Sequence, residues 1–168
     1  MLSPFLKLAA HLSAVILVSS SCRAWETVID SDPLTDEATV FISQTTSDGQ
    51  MAVTFKCFDG HPDDTLIMAI ANEPWEATMA DDTGVSVTLR IDKNTPVEVP
   101  LAPQNKSGKL LGTMNAGSAH DVVGVLFQMA EAKTSFGFGF RGVSTRLPIK
   151  KLSAAATKMI EVCHLKRY

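Results

Sequence analysis

Short runs with a period of two dominate the pattern of apolar and polar positions along the chain. Residues 38–43 (ATVFIS) and 51–57 (MAVTFKC) flank the polar segment 44–50, in which Ser47-Asp48-Gly49 is a turn signal. Two β-branched and aromatic runs joined in this way predict a hairpin. In the second run Met51, Val53, Phe55 and Cys57 share one face while Thr54 and Lys56 take the other, which puts Cys57 on the buried side. A turn at 59–64 (DGHPDD) leads into 65–70 (TLIMAI). Residues 85–91 (VSVTLRI) alternate strictly and turn through 92–96 (DKNTP) into 97–99 (VEV). Residues 109–114 (KLLGTM) and 122–127 (VVGVLF) read as two more strands. Seven or more short strands at this spacing predict a mainly β fold. The expected architecture is an antiparallel sandwich or partly open barrel of about seven to nine strands.

The last segment changes period. Leu152, Ala156, Met159, Ile160 and Cys163 fall at i, i+4, i+7, i+8 and i+11, which is one stripe of a helix. Pro148 lies just upstream, where a helix start tolerates proline. Cys163 belongs to the stripe, so the expected picture is a C-terminal helix strapped onto an inner strand face.

Residues 135–142, SFGFGFRG, contain Gly137-x-Gly139-x-x-Gly142, the glycine pattern of a dinucleotide-binding turn. Such a turn needs its glycines between a strand end and a helix, because the pyrophosphate sits on the helix N-terminus. Here Phe136, Phe138 and Phe140 alternate with the glycines, and the residues up to Pro148 remain β-rich. The stretch therefore reads as a core strand whose glycines let something lie close against its outer face. It does not read as a nucleotide site, and no cofactor is expected.

Composition adds a compartment. Residues 1–24 run from Lys7 through a mostly apolar stretch to small residues, the layout of a secretory signal peptide cleaved after Ala24. The alternative is lipidation of Cys22, which would make the protein an outer-membrane lipoprotein, although a serine stands where a lipobox carries leucine. Release into the periplasm or medium is the expected location, with residues 25–168 forming a single β-rich domain. The leader removes Lys7 and Arg23 from the 15 basic residues and none of the 18 acidic ones, so the net charge of −3 becomes −5. An acidic chain without a basic cluster is a poor nucleic-acid binder. Cys57 and Cys163 remain, and two cysteines in an exported chain are expected to pair.

Catalytic chemistry is thinly represented. His61 with Asp63 and Asp64, and His120 with Asp121, lack the spacing of a zinc site, so no metal is expected. Ser118 has no nucleophile-elbow context. Glu73, Glu76, Asp81 and Asp82 are acids in turn-like sequence, and nothing specific marks them as a glycosidase pair. Trp25 reads as a core plug or strand-edge cover, with a ligand platform as the other option.

The start of the processed chain, with Trp25, Pro33-Leu34-Thr35-Asp36 and Val40, resembles the TagO/VasI-like exported proteins associated with bacterial type VI secretion. Cys57 at the end of the next strand, Cys163 in a C-terminal helix and the Phe140-Arg141-Gly142 approach extend the resemblance over most of the chain. It implies a non-enzymatic accessory or binding protein whose partner is an envelope protein or a peptidoglycan component. The expected binding surface combines Trp25, Asp32, Pro33, Leu34, Thr35 and Asp36 with Asp81 and Asp82, since turns hold most of the acid excess. A second reading is a periplasmic lysozyme inhibitor, suggested by residues 54–60 (TFKCFDG). Leu111 stands where the tyrosine of the inhibitors' Ser-Gly-x-x-Tyr loop belongs. A cell-wall hydrolase using the scattered acids is a third.

Overall fold

The structure is a computed structural model that describes residues 24–74, 85–106, 109–113, 119–140 and 142–167. Among these are nine strands and two helices. They are β1 (Glu26–Ser31), β2 (Ala38–Thr45), β3 (Met51–Phe58), β4 (His61–Pro74), β5 (Val85–Ile91), β6 (Val97–Lys106), β7 (Lys109–Thr113), β8 (Phe136–Phe140) and β9 (Val143–Leu147), with α1 (Ala119–Ala130) and α2 (Leu152–Val162). Every pairing is antiparallel, and the strand order is β1-β2-β3-β4-β7-β6-β5-β8-β9.

The sheet divides into two halves at β6. Val97 to Leu101 pair with β5, whereas Ala102 to Lys106 pair with β7. Pro100 and Pro103 flank the change of partner, and a proline has no N–H to give to a ladder. The mainly β, sandwich-like architecture closed by a C-terminal helix matches the expectation from periodicity.

Alternation sets the inner face. Val40, Ile42, Val53, Phe55, Cys57, Ile67 and Ala69 are buried in one half, and Val87, Leu89, Ile91, Phe136, Phe138 and Phe140 in the other. The register stacks them in rows, such as Ile42–Phe55–Ile67 and Ile91–Phe136–Leu147. Burying side chains of this size stabilises by about 1.5–3 kcal/mol each before chain entropy is counted. Trp25 joins the halves, its ring packing on Phe55 at 6.3 Å and on Phe136 at 5.2 Å between centroids. Its indole N–H donates to the Pro148 carbonyl at 2.8 Å and its backbone N–H to Lys150 at 3.0 Å. The start of β1 is thereby fastened to the segment that follows β9, so the two outermost strands of the described sheet are clasped together. Trp25 is a core plug.

Residues 122–127 are helical, which corrects the strand expected there. A six-residue apolar run does not distinguish a buried strand from a buried helix by pattern alone. The wider window shows the helical stripe of Val122, Val125, Leu126 and Met129, all buried, with Asp121 in the first turn where the helix dipole favours it. Both α1 and α2 lie on the inner face, α1 against β4, β5 and β6 and α2 against β2, and they pack on each other. Ser153 donates to the Ala130 carbonyl to join them end to end. In α2 the buried residues are Leu152, Ala155, Ala156 and Met159. Cys163 follows at the helix C-cap and is bonded to Cys57 with the Cα atoms 6.2 Å apart. Both cysteines are fully buried.

Candidate functional site

The turn between β1 and β2 is built by its own side chains. Asp32 accepts the backbone N–H of Leu34 at 2.7 Å and of Thr35 at 3.3 Å, an Asx-type turn. Asp36 adopts a left-handed conformation with φ 60°, which aspartate tolerates better than most residues, and donates its N–H to the Asp32 carbonyl. Leu34 stands at the tip, 91 % exposed. The turn between β3 and β4 reverses at Gly60, where φ is +75° and a side chain would be strained.

These two turns meet because the β2–β3 register sets Thr39 opposite Phe58. A backbone bond from Asp59 N–H to the Ala38 carbonyl, 2.8 Å, locks them. Between them opens a cleft of about 400 Å³, with Asp30, Asp32, Glu37 and Asp59 around Phe58 and His61. His164, the other described histidine nearby, lies 3.6 Å from Asp59. The Lys56 ammonium sits over the Phe58 ring at 4.2 Å and over Phe41 at 5.2 Å, on the outer face of the sheet. Four carboxylates border this one concave surface, with the Phe58 ring as part of its wall. The carboxylates are hydrogen-bond acceptors, and the Phe58 ring already carries the Lys56 ammonium over its face.

Of the expected surface, Asp32, Pro33, Leu34, Thr35 and Asp36 come together in one exposed turn, and Asp32 and Pro33 border the cleft. Trp25 is not part of an exposed surface. It is 2 % exposed, held inside by its hydrogen bonds and ring contacts. Asp81 and Asp82 lie outside the described residues, as do Glu76, Ser118 and the Ser107-Gly108 pair, while Glu73 is described only as backbone of β4. Asp30, Glu37, Phe58 and Asp59 were missed as partners of this turn. The signal was present: if residues 38–43 and 51–57 form a hairpin, the chain before the first run and after the second must lie side by side.

Among the described residues no group of three or more His, Cys, Asp or Glu side chains could hold a metal ion. Among them, too, no helix is long and apolar enough to cross a membrane. Gly137 and Gly139 lie within β8 and Gly142 leads directly into strand β9, so the glycine pattern has the strand setting read from the sequence. Compared with known proteins, the chain matches no family model, no curated protein and no solved structure.

Proposed function

We propose that the protein is an exported, non-enzymatic binding or accessory protein of the bacterial cell envelope. In this reading it is of the TagO/VasI-like kind that its sequence resembles, and it engages a basic or hydroxyl-rich envelope partner through the acidic cleft at the β1–β2 and β3–β4 turns. The observation that carries the reading is the convergence of Asp30, Asp32, Glu37 and Asp59 around Phe58 and His61 in one cleft. The buried Cys57–Cys163 disulfide supports an oxidising compartment, where such bonds form and persist. Exposed carboxylates attract a basic surface only within about 8–10 Å at physiological salt, so binding through them weakens as salt rises.

The test is capture of partners from an envelope extract at low and high salt, with Asp30→Asn, Asp32→Asn and Asp59→Asn combined in a parallel sample. Asparagine keeps an acceptor oxygen at position 32, so the turn is expected to survive. Retention that is lost in the variant and in high salt supports the reading. A partner held equally well by the variant and at high salt removes the cleft from it. Turnover of peptidoglycan by the purified protein removes its non-enzymatic character.

A further inference from the structure

We propose that the outer face of β5, β8 and β9 is a second binding site, independent of the acidic cleft, that takes an oxyanion group, carboxylate or phosphate, between Arg90 and Arg146. The register places Arg90 opposite Gly137 and Gly137 opposite Arg146, so the three residues form one row across three strands. The row faces away from the core, because Phe136 and Phe138 on either side of Gly137 point inward and are buried. With strands about 4.8 Å apart, the two arginines rise from backbones roughly 10 Å apart, with no side chain between them. The groove they border has a volume of about 450 Å³, and Ser135 and Ser144 supply hydroxyls along it.

The fold does not demand glycine at 137. Its φ is not in the left-handed region, and an added Cβ would stand 3.5 Å from the Cβ and carbonyl oxygen of Arg90, an ordinary contact. Glycine in a strand interior lowers stability, so its presence where neither backbone nor packing requires it leaves the open floor as its effect. The arginines are exposed, and among the described residues no carboxylate lies within ion-pair distance of either. Arg90 donates from Nε to the Asn94 carbonyl at 3.1 Å, which fixes its stem and leaves the terminal nitrogens available.

Asp92 borders the same groove, but its carboxylate is engaged in its own loop. It accepts the N–H groups of Lys133, Thr134 and Ser135 and the Thr134 hydroxyl at 2.7–2.9 Å. Two guanidinium groups beside hydroxyl donors match the bidentate geometry of carboxylate and phosphate. The groove walls offer no aromatic or aliphatic platform, so the ligand contributes a charged head and not an apolar body.

The test is a titration of ¹⁵N-labelled protein with inorganic phosphate and, separately, with glucuronate at low ionic strength, each against an equal concentration of chloride. Saturable shifts confined to β5, β8 and β9 are expected with at least one of the two ions. Phosphate alone identifies a phosphate-bearing partner, and glucuronate alone a carboxylate-bearing one. Arg90→Gln and Arg146→Gln are each expected to weaken binding tenfold or more, and Arg146→Lys less. Gly137→Val, which keeps both charges and fills the floor, is expected to weaken it as much as losing an arginine. The same spectra report whether each variant is folded. Shifts reproduced by chloride, no saturable shift with either ion, or unchanged binding in the Arg90→Gln/Arg146→Gln double variant would overturn the proposal.

Discussion

Replacing Trp25 tests how much of the domain depends on one residue at the seam between its sheet edges. Trp25→Ala removes a ring that is 2 % exposed and wedged between Phe55 and Phe136. Truncating a buried tryptophan of this kind costs about 3–5 kcal/mol, part of it from the cavity left behind. Trp25→Phe keeps an aromatic plug but deletes the Nε1–H that the Pro148 carbonyl accepts at 2.8 Å. A lost hydrogen bond that leaves a partly buried acceptor without its donor costs about 1–3 kcal/mol. Domains are stable by about 5–15 kcal/mol, so the alanine variant stands near the limit of folding and the phenylalanine variant well inside it. Urea unfolding followed by far-ultraviolet circular dichroism measures both, and avoids tryptophan fluorescence, which the substitution itself changes. The expected ranking is wild type, then Trp25→Phe, then Trp25→Ala, with steps of the sizes given. An alanine variant within 1 kcal/mol of wild type would show that the clasp is decoration and refute the reasoning.

Reduction of Cys57–Cys163, separated by 106 residues, is expected to lower stability by up to about 5 kcal/mol from chain entropy. Mass shifts on alkylation with and without reductant report the pairing, and two thiols that alkylate without reductant would contradict it. Gly124 sits on the exposed side of α1 with nothing within 4 Å of an added Cβ, so Gly124→Ala is expected to raise stability by about 0.5–1 kcal/mol. Thermal unfolding measures this, and a loss would contradict the helix. The N–H groups of Ser135, Lys133 and Thr134 hold the Asp92 carboxyl far below the usual carboxylate range. Its contribution is therefore present above the unfolded value of about 4 and is lost as pH falls through the lower folded value. Stability against pH below 5 is expected to fall less steeply in Asp92→Asn than in wild type, and parallel curves would remove Asp92 from the acid response.

Much of the fold was legible because buried strands advertise their alternation. The paired runs 38–43 and 51–57, the strict pattern at 85–91 and the phenylalanines of β8 needed only the period of two, and α2 needed only its stripe. The strand β1 escaped notice because all six of its residues are exposed, so burial imposes no pattern on it. The helix α1 was misread because Val122, Val123 and Val125 favour strands locally, while packing against β4, β5 and β6 decides otherwise. The site was half legible. Asp32 to Asp36 announce a turn by residue type, but the turn that meets it is set by the β2–β3 register, and the row Arg90–Gly137–Arg146 exists only once three strands are aligned.

The disulfide also shapes how the molecule would respond to force. Its bond joins the end of β3 to the end of α2, so six of the nine described strands and both helices lie inside one covalent ring, while β1, β2 and β3 up to Cys57 lie outside it. Pulled from its two ends, the oxidised chain can pay out β1, β2, β3 up to Cys57 and the few residues after Cys163, but nothing within the ring. The 106-residue span between the cysteines, roughly 350–380 Å of extended chain, stays hidden from the pulling axis until the bond is reduced. Mechanically, the protein is a short leash tied to a closed loop, and the oxidation state sets its reach.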